Sequence, residues 1–145
     1  MIEIIKMNHK IIAKYIKDLK FEIPNPDVFY SLAENISNYK ININIKSNQI
    51  KEKIIEVETS LELNPTKSNF EKINTKIVYS TIIEIENIEN NKKKLEEIIL
   101  IKVPTEIYAE IRNIFILLFE KSGFKKIKID EKVDFRKLYE QRAIQ

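Results

Sequence analysis

The 145 residues are 43% hydrophobic and 32% charged, the balance of one folded domain with a core and not of a disordered chain. Cysteine is absent, and His9 and Gly123 are the only residues of their kinds. These counts exclude disulfides, thiol chemistry, cysteine or multi-histidine metal sites, histidine-driven nucleophilic relays and glycine-rich phosphate loops, and a net charge of +3 pulls only weakly toward nucleic acid.

Residues 1–13 read as a loosely ordered extension, or as a short extra turn or strand, with His9 exposed in it. Isoleucine pairs there are broken by Glu3, Lys6, Asn8 and His9, unlike the apolar stretch of a signal peptide. The longest apolar run, Ile114 to Phe119, falls far short of a membrane span, so a soluble, cytoplasmic protein is expected. Tyr15 to Ile23 alternates only in part and stops at Pro24 and Pro26, which reads as an edge strand and a turn. Residues 27–38 fit either one helical turn or a loop.

Ile41, Ile43 and Ile45 alternate with Asn42 and Asn44, the period-two signature of a half-buried strand. Lys46 to Lys53 reads as a polar turn. Ile55, Val57, Thr59, Leu61 and Leu63 form the inner face of the next strand, with Glu56, Glu58 and Glu62 on its outer face. A loop at Asn64-Pro65-Thr66 leads to a long strand over Phe70 to Ile85, and Asn87 to Asn91 is a loop. Glu84 and Glu86 are expected to be solvated.

Then the period changes. Lys92 to Lys94 reads as loop, and Leu95, Ile98, Ile99 and Lys102 as a short helix. Pro104 sits early in a helix or kinks it, and Thr105 is placed to cap the helix after it. Ile107, Ile111, Ile114 and Leu118 make a helical stripe that Tyr108, Phe115 and Phe119 widen, and Gly123 ends this helix. Stripes on two sides require two partners, and one small sheet supplies only one, so a second subunit is expected on the other. A last helix is expected over Glu131 to Gln141. Strands first and helices last predict an α+β domain: an antiparallel sheet with C-terminal helices packed on one face.

Three stretches then point to a family. Tyr15-Ile16-Lys17-Asp18-Leu19 leads through Phe21-Glu22 to Pro24-Asn25; Val103-Pro104 leads through Tyr108 to Arg112; and Val133-Asp134-Phe135 precedes Leu138-Tyr139. In these stretches, in this order, the chain resembles SecB, the bacterial export chaperone family, over residues 14–142. The resemblance implies a four-stranded antiparallel sheet with two main helices, assembled as a homotetramer that is a dimer of dimers. It implies ATP-independent binding of unfolded, secretion-bound precursors and their delivery to the translocation ATPase SecA, with no cofactor, metal or catalytic residue.

Residue roles come with the resemblance. Ile41 and Ile43 match strand positions that line the client groove, and Phe135, Leu138 and Tyr139 match the helix that covers it. The residues by themselves read equally well as core and as a pinned helix. Asp18 and Glu22 match acidic positions that dock SecA, although the remaining docking positions fall at Asn74 and Lys76, where the family has an apolar and an acidic residue. Glu56, Glu58 and Glu62 are an alternative source of acidity. Arg112 matches a helix arginine that reads as part-buried and paired. Two other classes stay open: a SecB-like chaperone dedicated to the antitoxin of a toxin–antitoxin pair, and a basic nucleic-acid-binding α+β module.

Overall fold

The computed structural model describes residues 8–86, 91–124 and 127–144. Strands β1 (His9–Glu22), β2 (Tyr39–Lys51), β3 (Ile54–Pro65) and β4 (Asn74–Ile85) form one antiparallel sheet in the order β1-β4-β3-β2. Helix α1 (Pro26–Asn35) and a 3-10 turn (Ile36–Asn38) link β1 to β2, while α2 (Lys92–Glu97), α3 (Val103–Lys121) and α4 (Phe135–Ile144) come after the sheet. The expected α+β architecture is the observed one. Among the described residues, no helix is long and apolar enough to cross a membrane.

Helix α3 packs on the central strands β3 and β4. Its Ile107, Ile111, Phe115 and Phe119 are buried against Leu61, Leu63, Ile73 and Ile77. These helix positions recur every four residues, and Tyr108 widens the seam. Ile114 and Leu118, expected in the stripe, are only half-buried, and Leu117 is 51% exposed. Gly123 comes just after the helix at φ +94°, and a Cβ there would come 3.2 Å from the Phe29 ring, so glycine suits both backbone and packing.

Several boundaries differ from expectation, each for a local reason. β1 begins at His9, so residues 9–13 take the strand alternative and not the loose extension, while residues 1–7 lie outside the described residues. Its register shifts between Ile11 and Ala13 and again between Ile16 and Asp18. Each bulge turns the side chains beyond it to the opposite face, which is why the alternation looked incomplete. His9 is not free in solvent: its Nε2 lies 2.9 Å from Glu106 Oε1 on α3.

Residues 27–38 are helical. The Asn25 side chain accepts from the Val28 N–H at the start of α1, where Pro26 needs no partner for a missing N–H. Lys46 to Lys51, expected as a turn, continues β2, because pairing with β3 holds this polar overhang extended. The true turn is Glu52-Lys53, with Lys53 at φ 67°. β4 starts at Asn74 rather than Phe70. The loop expected at Asn87 to Asn91 falls mostly on 87–90, outside the described residues, and Asn91 caps α2 by accepting from the Lys94 N–H. Lys92 to Lys94 is therefore helix and not loop.

A π turn at Ile98–Lys102 joins α2 to α3. Proline lacks an N–H and its ring crowds the carbonyl four residues back, so a widened turn just before Pro104 lets the helix continue. Thr105 does not cap; its hydroxyl donates back to the Ile101 carbonyl. α4 begins at Phe135, later than expected, with the Asp134 carboxylate accepting from the Lys137 N–H. Before it, Tyr108 Oη donates to the Asp130 carbonyl at 2.6 Å, and Arg112 donates twice to the Ile129 carbonyl at 3.2 and 3.0 Å. Arg112 is half-buried as expected, and its partner in these bonds is a backbone carbonyl.

The outer face of the sheet also departs from expectation. Glu56 is only 6% exposed and accepts from Ser80 Oγ at 2.7 Å, Tyr15 Oη at 3.1 Å and Lys17 Nζ at 3.1 and 3.2 Å. The second β1 bulge falls at Lys17, which also reaches Glu58 at 2.9 Å. Lys72 pairs with Glu62 at 3.2 Å. The Ser80 hydrogen bond, aided by Lys17 and Tyr15 and opposed by burial, holds the Glu56 carboxyl below the ordinary glutamate range. A depressed folded value means that this stabilisation is complete above the ordinary range and disappears as pH falls through the folded one. Glu56→Gln is expected to lower unfolding free energy by about 1–3 kcal/mol near neutral pH in urea titrations. The gap between variant and wild type should close in acid; a gap independent of pH would remove the charge from the explanation.

Candidate functional site

Because α3 sits over the middle of the sheet, the inner face of edge strand β2 is covered by other parts of the chain. Three clefts lie along it. One of about 430 Å³ is lined by Ile36, Tyr39, Lys40, Ile41, Leu63, Ile127 and Lys128. The next, of about 280 Å³, has Ile43, Ile45, Leu100, Phe135, Leu138, Tyr139 and Arg142 in its walls. The third, of about 610 Å³, shares Ile45, Leu100, Tyr139 and Arg142 and adds Lys46, Glu96 and Ile99. Ile41, Ile43 and Ile45 thus supply one aliphatic side chain after another at the two-residue spacing of a strand. Each is half-buried, so each presents part of its surface to the clefts.

α4 packs on the π turn and forms the wall opposite β2. Its three predicted residues behave differently. Leu138 is 45% exposed at the cleft mouth. Phe135 is 2% exposed, with its ring edge-on to Tyr108 at 5.9 Å; it is a buried anchor and not an open contact. Tyr139 stands between these extremes and donates to Glu96 Oε2 at 2.9 Å, tying α4 to α2. The Glu96 hydrogen bond holds the Tyr139 phenol above its ordinary range. Ile45 carries the same period-two signal as Ile41 and Ile43, whereas Leu100, Glu96 and Arg142 reach the clefts only through the π turn and the placement of α4.

The predicted docking residues gather on the opposite, outer face. Register places Asp18 beside Val78, Lys20 beside Lys76 and Glu22 beside Asn74. The Asn74 amide donates to Glu22 Oε2 at 3.3 Å, and Lys20 lies 3.9 Å from Asp18. Asp18 and Glu22 are exposed, but two lysines stand between them. The alternative acidic set does not form an open patch either: Glu56 is buried, and Glu58 and Glu62 are each paired with a lysine. Among the described residues, no group of three or more acidic or histidine side chains is arranged to hold a metal.

Comparison with known proteins decides the family. The sequence model for the preprotein translocase subunit SecB matches residues 5–145. The chain belongs to the SecB family. A putative protein-export protein SecB of Pelagibacter ubique (strain HTCC1062) is 39% identical over 136 residues, spanning 94% of this chain and 97% of its own length. The protein-export protein SecB of Orientia tsutsugamushi (strain Boryong) is 31% identical over 129 residues, spanning 87% of this chain and 78% of its own. Among solved structures, a SecB-like chaperone of Mycobacterium tuberculosis, in complex with a ChAD peptide from the HigA1 antitoxin, superposes with a TM-score of 0.59 at 9% identity, covering 86% of this chain and 88% of that one. That likeness concerns the fold. SecB membership makes the chain an export chaperone and not an enzyme.

The Tyr139–Glu96 bond has a direct test. Tyr139→Phe keeps the ring in the cleft wall and removes the tie. Amide hydrogen exchange over Phe135–Ile144 should become a few-fold faster while β3 and β4 are unchanged. Unchanged exchange in α4 would show that packing on the π turn alone holds it.

Proposed function

We propose that the chain is an ATP-independent holdase that binds unfolded, secretion-bound polypeptides in the groove along β2. The observation that carries this reading is the row of three clefts with Ile41, Ile43 and Ile45 along one wall, faced by Ile127 in the first and by Tyr139 in the other two, with Leu138 beside it in one. Apolar burial is non-directional and worth about 25 cal/mol per Å², so such walls accept many sequences without a code. A long client touching several grooves at once gains affinity by effective concentration. The supporting assembly is a tetramer built as a dimer of dimers. Lys14–Glu110 and the Phe21–Phe119 ring contact join β1 to α3, and between them Ile16, Leu19 and Leu117 are 43%, 42% and 51% exposed. A second copy covering this strip accounts for that exposure.

Native mass spectrometry with a chemically unfolded precursor tests both parts. Wild type should appear as a tetramer that takes up precursor, and Ile43→Asp/Ile45→Asp should remain a tetramer and lose at least about tenfold in affinity. A double variant that binds precursor as well as wild type does would place the client site elsewhere.

Delivery to SecA belongs to the same proposal, with Asp18 and Glu22 as the docking carboxylates. Lys20 and Lys76 beside them weaken attraction for a basic partner segment. Lys20→Glu/Lys76→Glu should therefore tighten SecA binding in titration calorimetry, and Asp18→Lys/Glu22→Lys should abolish it. No binding by any of the three proteins would favour the second reading, a chaperone dedicated to one antitoxin, which needs no SecA contact and which the mixed-charge face suits.

A further inference from the structure

The outer face of the sheet is mostly polar, but its composition changes at the end where β2 turns into β3. Strand register sets two rows of outward side chains there. Lys51, Ile54, Glu84 and Lys10 form the last row across β2, β3, β4 and β1. Asn48, Glu56, Ile82 and Ala13 form the row before it. Register shifts leave Ile50 between Gln49 and Lys51 and Ile12 between Ile11 and Ala13, as bulge residues at the two sheet edges. The third bulge residue, Lys17, shows which way such a residue points, because its ammonium reaches Glu56 and Glu58 on the outer face. Ile12 and Ile50 hold the same place as Lys17, each after an inward residue and before an outward one. They are 50% and 47% exposed. Ile54 and Ile82 are half-buried, and none of these four isoleucines packs into the core on the other face.

The result is an apolar band that crosses all four strands: Ile12 and Ala13 on β1, Ile82 on β4, Ile54 on β3 and Ile50 on β2. Three strand spacings make it about 14 Å long, with an apolar group about every 4.8 Å. A helix rises about 1.5 Å per residue, so side chains three or four residues apart recur at about 4.5–6 Å, the same interval. Charge then chooses among apolar partners. Lys51 and Lys10 end the last row with Glu84 between them, and Glu52 and Lys53 form the turn beside it. All five are exposed, and among the described residues none is in an ion pair. Lysines and carboxylates so nearly balanced give little attraction to an anionic membrane. A second copy packed face to face would set lysine against lysine, whether the two-fold axis lay along the row or across it. We propose that the band docks an amphipathic helix of a partner protein, laid across the strands. Its apolar stripe rests on the isoleucines, and carboxylates beside the stripe reach Lys10 and Lys51. This site is separate from the groove along β2, which lies on the inner face.

The test uses the full chain and three labelled helical peptides of equal length. One carries leucines on a single helical stripe flanked by Glu, and the second has the same stripe flanked by Lys. The third has the composition of the first with its leucines scattered around the helix. Fluorescence anisotropy at low ionic strength should show the Glu-flanked peptide binding, the Lys-flanked one about fivefold weaker and the scattered one at least about tenfold weaker. Ile12→Asp/Ile50→Asp alters two exposed positions, so it should take up unfolded precursor as wild type does and bind the Glu-flanked peptide at least about tenfold more weakly. Lys10→Glu/Lys51→Glu should reverse the preference between the two flanked peptides. The groove variant Ile43→Asp/Ile45→Asp should bind the Glu-flanked peptide like wild type. Binding lost in the groove variant would assign the peptide to the groove and overturn the proposal. Binding kept in Ile12→Asp/Ile50→Asp, equal affinity for the scattered peptide, or no binding at all would overturn it too. Co-sedimentation of wild type with phosphatidylglycerol-containing vesicles, lost in Ile12→Asp/Ile50→Asp, would give the band to a membrane surface and likewise overturn it.

Discussion

One helix cannot cover four strands. With side chains a helix is about 10–12 Å across, and neighbouring strands lie about 4.8 Å apart. α3 therefore seals β3 and β4, touches β1 only at His9, Lys14 and Phe21 among the described contacts, and leaves the inner face of β2 to other parts of the chain. The two edges resolve this differently. On the β2 side, Arg112 and Tyr108 hold the carbonyls of Ile129 and Asp130 ahead of α4, which comes across β2, and the incomplete fit leaves clefts. On the β1 side, α3 reaches Lys14 and Phe21, and between them Ile16 and Leu19 stay open. The clefts along β2 and the exposed apolar strip on β1 are thus two consequences of one packing limit.

The outer face of the sheet holds its charges in a shared network. The outer face brings Glu56 into a nearly closed set of donors, and the β1 bulge aims Lys17 so that one ammonium serves two carboxylates. Charges satisfied in this way are held in place and offer little to a partner.

Much of this was legible in the chain. The period-two runs of Ile41 to Ile45 and Ile55 to Leu63, the four-residue spacing of α3 and the stop at Gly123 each reflect a local rule that tertiary context reinforces. Lys46 to Lys51 was misleading because strand pairing supplies order without apolar side chains. Lys92 to Lys94 was misleading because an asparagine cap starts a helix in a charged run as readily as in an apolar one. The partial alternation of β1 could not be decoded, since a bulge is visible only against the partner strand.

The amino-acid sequence by itself determined the class of fold, the order of strands before helices, the exclusion of thiol, glycine-loop and histidine chemistry, and the resemblance that named the family. These depend on composition and on spacings of a few residues. Only the tertiary structure decided that Glu56 is a buried anchor, that Phe135 is core while Leu138 is open, and that Leu100, Glu96 and Arg142 share a cleft with Ile45. Those outcomes rest on contacts between residues far apart in the chain, where a bulge, a π turn and the limited reach of one helix set which side chains meet.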